Sequence, residues 1–284
     1  MQATRKRFRW VLFGLLALLI AAGGLGMQTW FGKPLKLDWF YNKVFLKFAL
    51  DSPEMLTSMR LLEPIGIRGH NAKLSDSSDA HEVQRLADLR ADYATFKSYN
   101  STNLTGQARI ANEVFDQFVS TSLAGEQWRH HDYPVNQMFG NQSELPNLLT
   151  QQQQVHDATD AKHYIARLHA FPLKIAQVID GLKLRESKGV VPPTVALEKA
   201  LVQIKAFLAP GPTGNTIYVG FKSQLDKIPA DKMDVATRTE LMSQTQLAIK
   251  NSVEPAYQNL TKAVEALQSK STGNHGVWSL PQGD

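Results

Sequence analysis

Histidines and carboxylates are the residues here with the best claim to chemistry, because hydrolysis by a bound metal needs imidazoles and carboxylates at helical spacing. His81-Glu82 begins the H-E-x-x-H pattern of zinc peptidases, but Arg85 stands where the second histidine is required. A guanidinium cannot ligate zinc, so His81 reads as a first-turn residue of a helix. His130-His131-Asp132 are consecutive. Neighbours on a helix point about 100° apart and do not readily grip one ion. His156, Asp160 and His163 share a face if all three are helical. The competing reading makes Asp160 the helix cap, which leaves His156 outside the helix. His169, near Pro172, has no evident partner.

Other chemistries lack their motifs. There is no G-x-S-x-G elbow, S-x-x-K pair, P-loop or G-x-G-x-x-G. The absence of cysteine removes thiolate catalysis, thiolate metal sites and disulfides. Hydrophobic residues make up 43% and charged residues 20%, the balance of a chain with a packed core. The net charge of +5 owes much to Arg5, Lys6, Arg7 and Arg9, and elsewhere the signs mix. No basic stripe with interleaved aromatics is present, so nucleic acid is not an expected partner.

The elements that would position these residues are helices. An uncharged run from Trp10 to Met27 follows the basic cluster. It is short for a membrane span and long for a signal-peptide core. An uncleaved anchor, with the N-terminus cytoplasmic and the body outside, is the expected topology; a cleaved signal is the alternative. The expected division is residues 1–31 as basic tip and anchor, and 32–284 as a helical body. Lys33 to Leu50 reads as an amphipathic helix lying near the membrane.

Ser52-Pro53-Glu54 starts a helix that ends before Pro64, and a polar loop runs from Gly66 to Ser78. Asp79 caps a helix with Val83, Leu86, Leu89, Tyr93 and Phe96 in phase. Ile110, Val114, Phe115, Phe118 and Val119 form the next apolar stripe. Pro134, Gly140 and Pro146 punctuate a structured loop. Asp160 opens a long helix that Pro172 kinks or divides and Gly189 stops. Further helices start at Pro192-Pro193-Thr194, cover Ile217 to Ile228, and run from Asp234 to Ser269 with a bend at Pro255. The only strand expected is short, at Val277-Trp278-Ser279-Leu280.

Five segments carry a resemblance. They are Tyr133-Pro-Val-Asn-Gln-Met-Phe-Gly140 continuing to Leu149, Asp160 to Pro172, Gly181 to Pro193, Pro255-Ala-Tyr257, and Gly276-Val-Trp-Ser-Leu-Pro-Gln-Gly-Asp284. In this order they resemble the bacterial family called domain of unknown function 885. The resemblance implies an exported or lipid-anchored, mostly helical protein, similar to zinc metallopeptidases of the gluzincin type. Complete members are about twice this length, and their zinc-binding H-E-x-x-P-G-H-H lies downstream of the Trp-x-Leu-Pro-x-Gly segment.

The match therefore covers an N-terminal half. It places no catalytic, cofactor or metal residue before Asp284, and zinc is expected only in a complete member. The expected function is an envelope-anchored helical portion of a metallopeptidase-like protein in the bacterial inner membrane, inactive alone. The alternative is a non-catalytic helical binding or scaffold module. Expected partners are the membrane through Trp10 to Met27, a peptide substrate, or a C-terminal half. Val277, Trp278, Leu280 and Gly283 are candidates for a substrate-cleft edge that would pair with substrate backbone. The other reading of that segment is an exposed tail.

Overall fold

The computed structural model describes residues 23–271, 273 and 276–283. Most of the run Trp10 to Met27 lies outside them. Residues 23–31 are helical, and among the described residues no helix is long and apolar enough to cross a membrane. The regular elements among the described residues are all helical, with no strand.

The chain forms two compact units. Unit 1 comprises residues 1–49 and 87–123, and unit 2 comprises residues 50–86 and 124–284. Unit 1 is built from α1 (Leu37–Asp51) with the C-terminal part of the helix Asp79–Lys97 and the helix Gly106–Ala124. Aromatic rings fill its centre. Phe40 is fully buried, and Phe96 and Phe115 meet with centroids 4.7 Å apart. Tyr41, Tyr93 and Tyr99 complete the cluster. Tyr93 Oη donates to Asp116 at 2.6 Å, and Lys97 pairs with the same carboxylate at 3.0 Å. The expected stripe on Gly106–Ala124 is buried only in part: Val119 is inside, while Ile110, Val114 and Phe118 are exposed.

Unit 2 begins with α2 (Pro53–Met59), where Ser52 Oγ accepts from Met55 N and Arg60 ends the helix at φ +54°. The expected polar loop contains a 3-10 turn at Gly69–Ala72. Its continuation is α3 (Asp79–Lys97), capped by Ser78 rather than by Asp79, since Ser78 Oγ accepts from His81 N. Beyond α4 (Gly106–Ala124) come α5 (Asn141–Asn147), α6 (Ala158–His169), α7 (Phe171–Ser187), α8 (Thr194–Leu208), α9 (Thr216–Leu225), α10 (Val235–Ala248) and α11 (Glu254–Gln268).

Pro172 divides α6 from α7 as expected, and Gly189 (φ +80°) stops α7 in a Schellman motif, with Val190 N bonded to Arg185 O. The expected run from Asp234 to Ser269 is helical from Val235 to Gln268, as two α segments joined through a π turn. Pro255 has no N–H to give the ladder, and a π turn at Ile249–Val253 absorbs the break. Asp160 does not cap α6. Asp157 does, accepting from Asp160 N, while Asp160 accepts from His156 N and pairs with Arg68 at 2.8 Å.

The expected strand at Val277–Leu280 is also absent. Val277–Ser279 makes a 3-10 turn, because its amides bond within the segment: Ser279 N to Gly276 O and Leu280 N to Val277 O. Groups spent in this way cannot join a ladder.

The core of unit 2 is apolar, with Leu168, Phe171, Leu197, Ile204, Phe221 and Leu260 fully buried. Set into it is one fully buried cation, Arg167. Its Nε donates to Lys73 O at 2.8 Å and its Nη1 to Gln153 Oε1 at 2.8 Å. Its Nη2 reaches Thr57 Oγ1 at 2.8 Å and His70 O at 2.9 Å. Thr57 in turn donates to Asn71 Oδ1, and Gln153 Nε2 donates to Asn71 O. One guanidinium thus fixes α2, the 3-10 turn and residue 153 onto α6. Burial pulls its pKa down to about 10, opposed by the Glu54 carboxylate, so it stays charged at neutral pH.

Arg167→Ala leaves these acceptors buried and unpaired. Hydrogen bonds to a charged group are worth about 1.5–3 kcal/mol each, so a loss of at least ~3 kcal/mol is expected in denaturant unfolding. A loss under about 1 kcal/mol contradicts the assignment.

His70 is buried with both ring nitrogens unpaired. Burial, then Arg167, hold its pKa below the ordinary value; Glu63 opposes this and His163 adds to it. The unfolded chain therefore binds this proton first as pH falls. Stability from neutral His70 is present above about pH 6.5 and is lost below that, through the folded-state value. His70→Asn should flatten the fall in Tm between about pH 7 and pH 5. An unchanged slope contradicts the role.

Candidate functional site

A cleft of about 650 Å³ opens within unit 2. Three stretches line it: Asp76 through the first turns of α3, Arg129 to Asn141, and the face of α7 from Gln177 to Arg185.

The first wall is fixed by a clamp. Asp76 Oδ1 accepts from Ser78 N and from Gln177 Nε2, both at 2.8 Å, and Gln177 Oε1 accepts from Ser77 N at 3.0 Å. The Ser78 amide holds the Asp76 carboxyl below the usual carboxylate range. Behind this wall, the buried Lys174 on α7 donates to Ser75 O and pairs with Glu54, both at 3.1 Å.

The second wall depends on a loop that closes on itself. Asn136 Oδ1 accepts from Met138 N and Phe139 N, both at 2.9 Å, and its Nδ2 donates to Tyr133 O at 2.8 Å. Asn141 donates twice to Pro134 O. Gln142 Nε2 donates to Asn136 O and to Gln203 Oε1, and Tyr257 Oη donates to Gln142 O at 3.0 Å. Gly140 sits where any Cβ would lie 2.6 Å from Asn136 N and 2.8 Å from Asn136 O. Backbone cannot yield as a flexible side chain can.

Charges in the cleft come in pairs. Arg129 Nη2 reaches both Asp79 oxygens at 3.0 and 3.2 Å, Arg185 holds Asp132 at 2.5 Å, and Arg85 holds Glu82 at 2.8 Å. His81 Nε2 lies 3.0 Å from Asp51. Arg129 Nε donates to His130 Nε2 at 3.1 Å, which places the imidazole proton on Nδ1. Burial, then Arg129, lower the His130 pKa, keeping the ring neutral. With its arginines paired, the cleft is not an anion trap. It offers donors, acceptors and the Tyr133 and Phe139 rings in one space, which suits a polar, extended ligand.

The structure separates the histidine groupings. His130, His131 and Asp132 face three partners: Arg129, Pro281 O and Arg185. His156 gives its backbone to Asp160, whose carboxylate is held by Arg68. Among the described residues, no group of three or more His, Asp or Glu is placed to hold a metal ion. Val277 and Trp278 are 73% and 64% exposed. With Leu280 and Gly283 they lie outside the cleft lining. That segment is fastened by Pro281 O at 3.1 Å from His131 Nε2.

Sequence reasoning missed Arg129–Asp79, Arg185–Asp132 and Gln177. Their partners lie about fifty to a hundred residues away. Arg167 did leave a signal: Asp160, Tyr164 and Arg167 fall at i, i+4 and i+7, a polar pair in step with a buried tyrosine.

Two of the five resembling segments meet at this site. Tyr133 to Asn141 forms one wall, and Gly181 to Arg185 belongs to the other. The model of a family described as bacterial protein of unknown function, DUF885, matches residues 53–284. Among curated proteins none matches in sequence. A crystal structure from Colwellia psychrerythraea, of a protein described as a lipoprotein, is similar in fold, with a TM-score of 0.73 and 20% identity. The likeness covers 86% of this chain and 44% of that one, so this chain spans less than half of its neighbour's length.

Gly140→Ala should lower Tm by about 2–4 °C per kcal/mol of the loop strain it introduces. It should also free the Phe139 amide to hydrogen exchange. Wild-type Tm and protection in the variant would contradict the close packing.

Proposed function

The chain belongs to the bacterial family DUF885, and on that premise we propose that unit 2 is a helical wall of the substrate cleft of an envelope-associated, metallopeptidase-like protein. The observation that carries this reading is the 650 Å³ cleft lined by Tyr133–Asn141 and Gly181–Arg185, the segments on which the family resemblance rests. Its paired charges and the Tyr133 and Phe139 rings fit a peptide, whose backbone presents donors and acceptors in alternation. Val277 and Trp278, exposed on a fastened turn, add an apolar surface for substrate side chains.

The metal and its activated water come, on this reading, from an H-E-x-x-P-G-H-H segment outside residues 53–284. Envelope association is supported by the run Trp10 to Met27 behind its basic cluster. A fold neighbour described as a lipoprotein points the same way.

The second reading is a non-catalytic binding or scaffold module. The continuous apolar core of unit 2 favours it, since that unit buries its own helices.

Both readings are tested with labelled casein peptides. Saturable binding is expected, weakened at least ~5-fold by Arg129→Ala, with no chelator-sensitive cleavage by this chain alone. Cleavage abolished by a chelator contradicts both readings, because the metal site would then lie within these residues. Absence of peptide binding contradicts the cleft.

A further inference from the structure

Unit 1 differs from unit 2 in two properties that point to one kind of partner. The first is charge: without the basic cluster at Arg5 to Arg9, unit 1 carries seven Lys and Arg against five Asp and Glu, a net of +2, compared with −1 for unit 2. The second is exposed apolar surface. On α4, Ile110, Val114 and Phe118 recur at intervals of four and are 48%, 62% and 68% exposed. They form one stripe, while Phe115 and Val119 face the aromatic centre of the unit. Trp30 and Phe31 are exposed as well, and Phe31 at 79% is among the barest side chains described. Isolated exposed apolar residues are ordinary, but a stripe along a helix marks an interaction surface.

The occupant is indicated by the chain itself. Residues 1–22 lie outside the described structure and include the basic cluster and most of the apolar run. In sequence they directly precede the helix at residues 23–31, and this helix belongs to unit 1. Whatever bilayer receives the run is thereby brought to unit 1. A helix can lie in the headgroup region without the length needed to cross, and Trp and Lys beside an apolar run suit that region. Lys36 Nζ lies 5.8 Å from the Trp39 ring centroid in the stretch that follows.

We propose that unit 1 rests on the lipid surface through the Ile110–Val114–Phe118 stripe, as a second contact beyond the N-terminal run. This rests on the envelope reading given above. A second copy of this chain, or another protein segment, on the same stripe is an outcome of the test.

The chain has no cysteine, so single labels are clean. The full chain carrying Val114→Cys, or Val202→Cys on the exposed face of α8 as a reference, is labelled with a fluorophore. It is then reconstituted into vesicles of phosphatidylcholine and phosphatidylglycerol. Lipid-borne nitroxide should quench the label at 114 roughly threefold more than at 202, and aqueous iodide should do the reverse.

The triple variant Ile110→Ser, Val114→Ser, Phe118→Ser should still float with vesicles through its N-terminus. A label at Gln117→Cys in that background should lose its lipid quenching. Three results overturn the proposal: equal iodide access at 114 and 202, shielding of 114 from both quenchers, or lipid quenching at 117 that the triple substitution leaves unchanged. A full chain that fails to float overturns the envelope reading together with this one. Flotation with a water-exposed label at 114 overturns this one alone.

Discussion

The Arg167 guanidinium is the interaction on which the organisation of unit 2 depends. A cation removed from water costs several kcal/mol unless its donors are met, and here each nitrogen finds an acceptor. Three of the four acceptors are uncharged oxygens of the segment 57–73, and the fourth belongs to Gln153. None of these groups could sit beside α6 without it. Its charge is balanced at a distance by Glu54, which also holds Lys174. Two buried cations and one carboxylate thus tie α2, α6 and α7 into a single frame.

The cleft inherits its walls from that frame. Lys174 and Gln177 lie on successive turns of α7; one holds Ser75 and the other holds Asp76 and Ser77. The segment leading into α3 is therefore fixed before the first cleft residue is reached. The opposite wall is held by backbone packing at Gly140 and by Gln142 and Tyr257. Both walls are thus held by hydrogen bonds and close backbone packing, and the charges between them are paired.

Much of the fold was legible because helices announce themselves locally. The proline starts at Pro53 and Thr194, the Ser52 and Asp234 caps and the Gly189 stop needed only neighbouring residues to be read. Misplaced boundaries had local competitors. Ser78 outbid Asp79 as cap, and Asp157 outbid Asp160, each with a side-chain oxygen one to three residues earlier. The strand expected at Val277–Leu280 failed because β character depends on a partner, and the segment met its own carbonyls first. The stripe on α4 shows the converse limit: periodicity reports an apolar face but not what covers it. The cleft was illegible because the ion pairs Arg129–Asp79 and Arg185–Asp132 join residues far apart in sequence, and the resemblance marked its walls without indicating their partners.

Native-state hydrogen exchange tests the central claim most directly. If Arg167 unites the frame, the amides of Asn71 and Lys73 in the 3-10 turn and of the Tyr164–Leu168 stretch of α6 share one opening free energy, equal to that of global unfolding. Exchange of the turn at a distinctly lower free energy, with α6 still protected, would show that the two are held separately and would contradict the account.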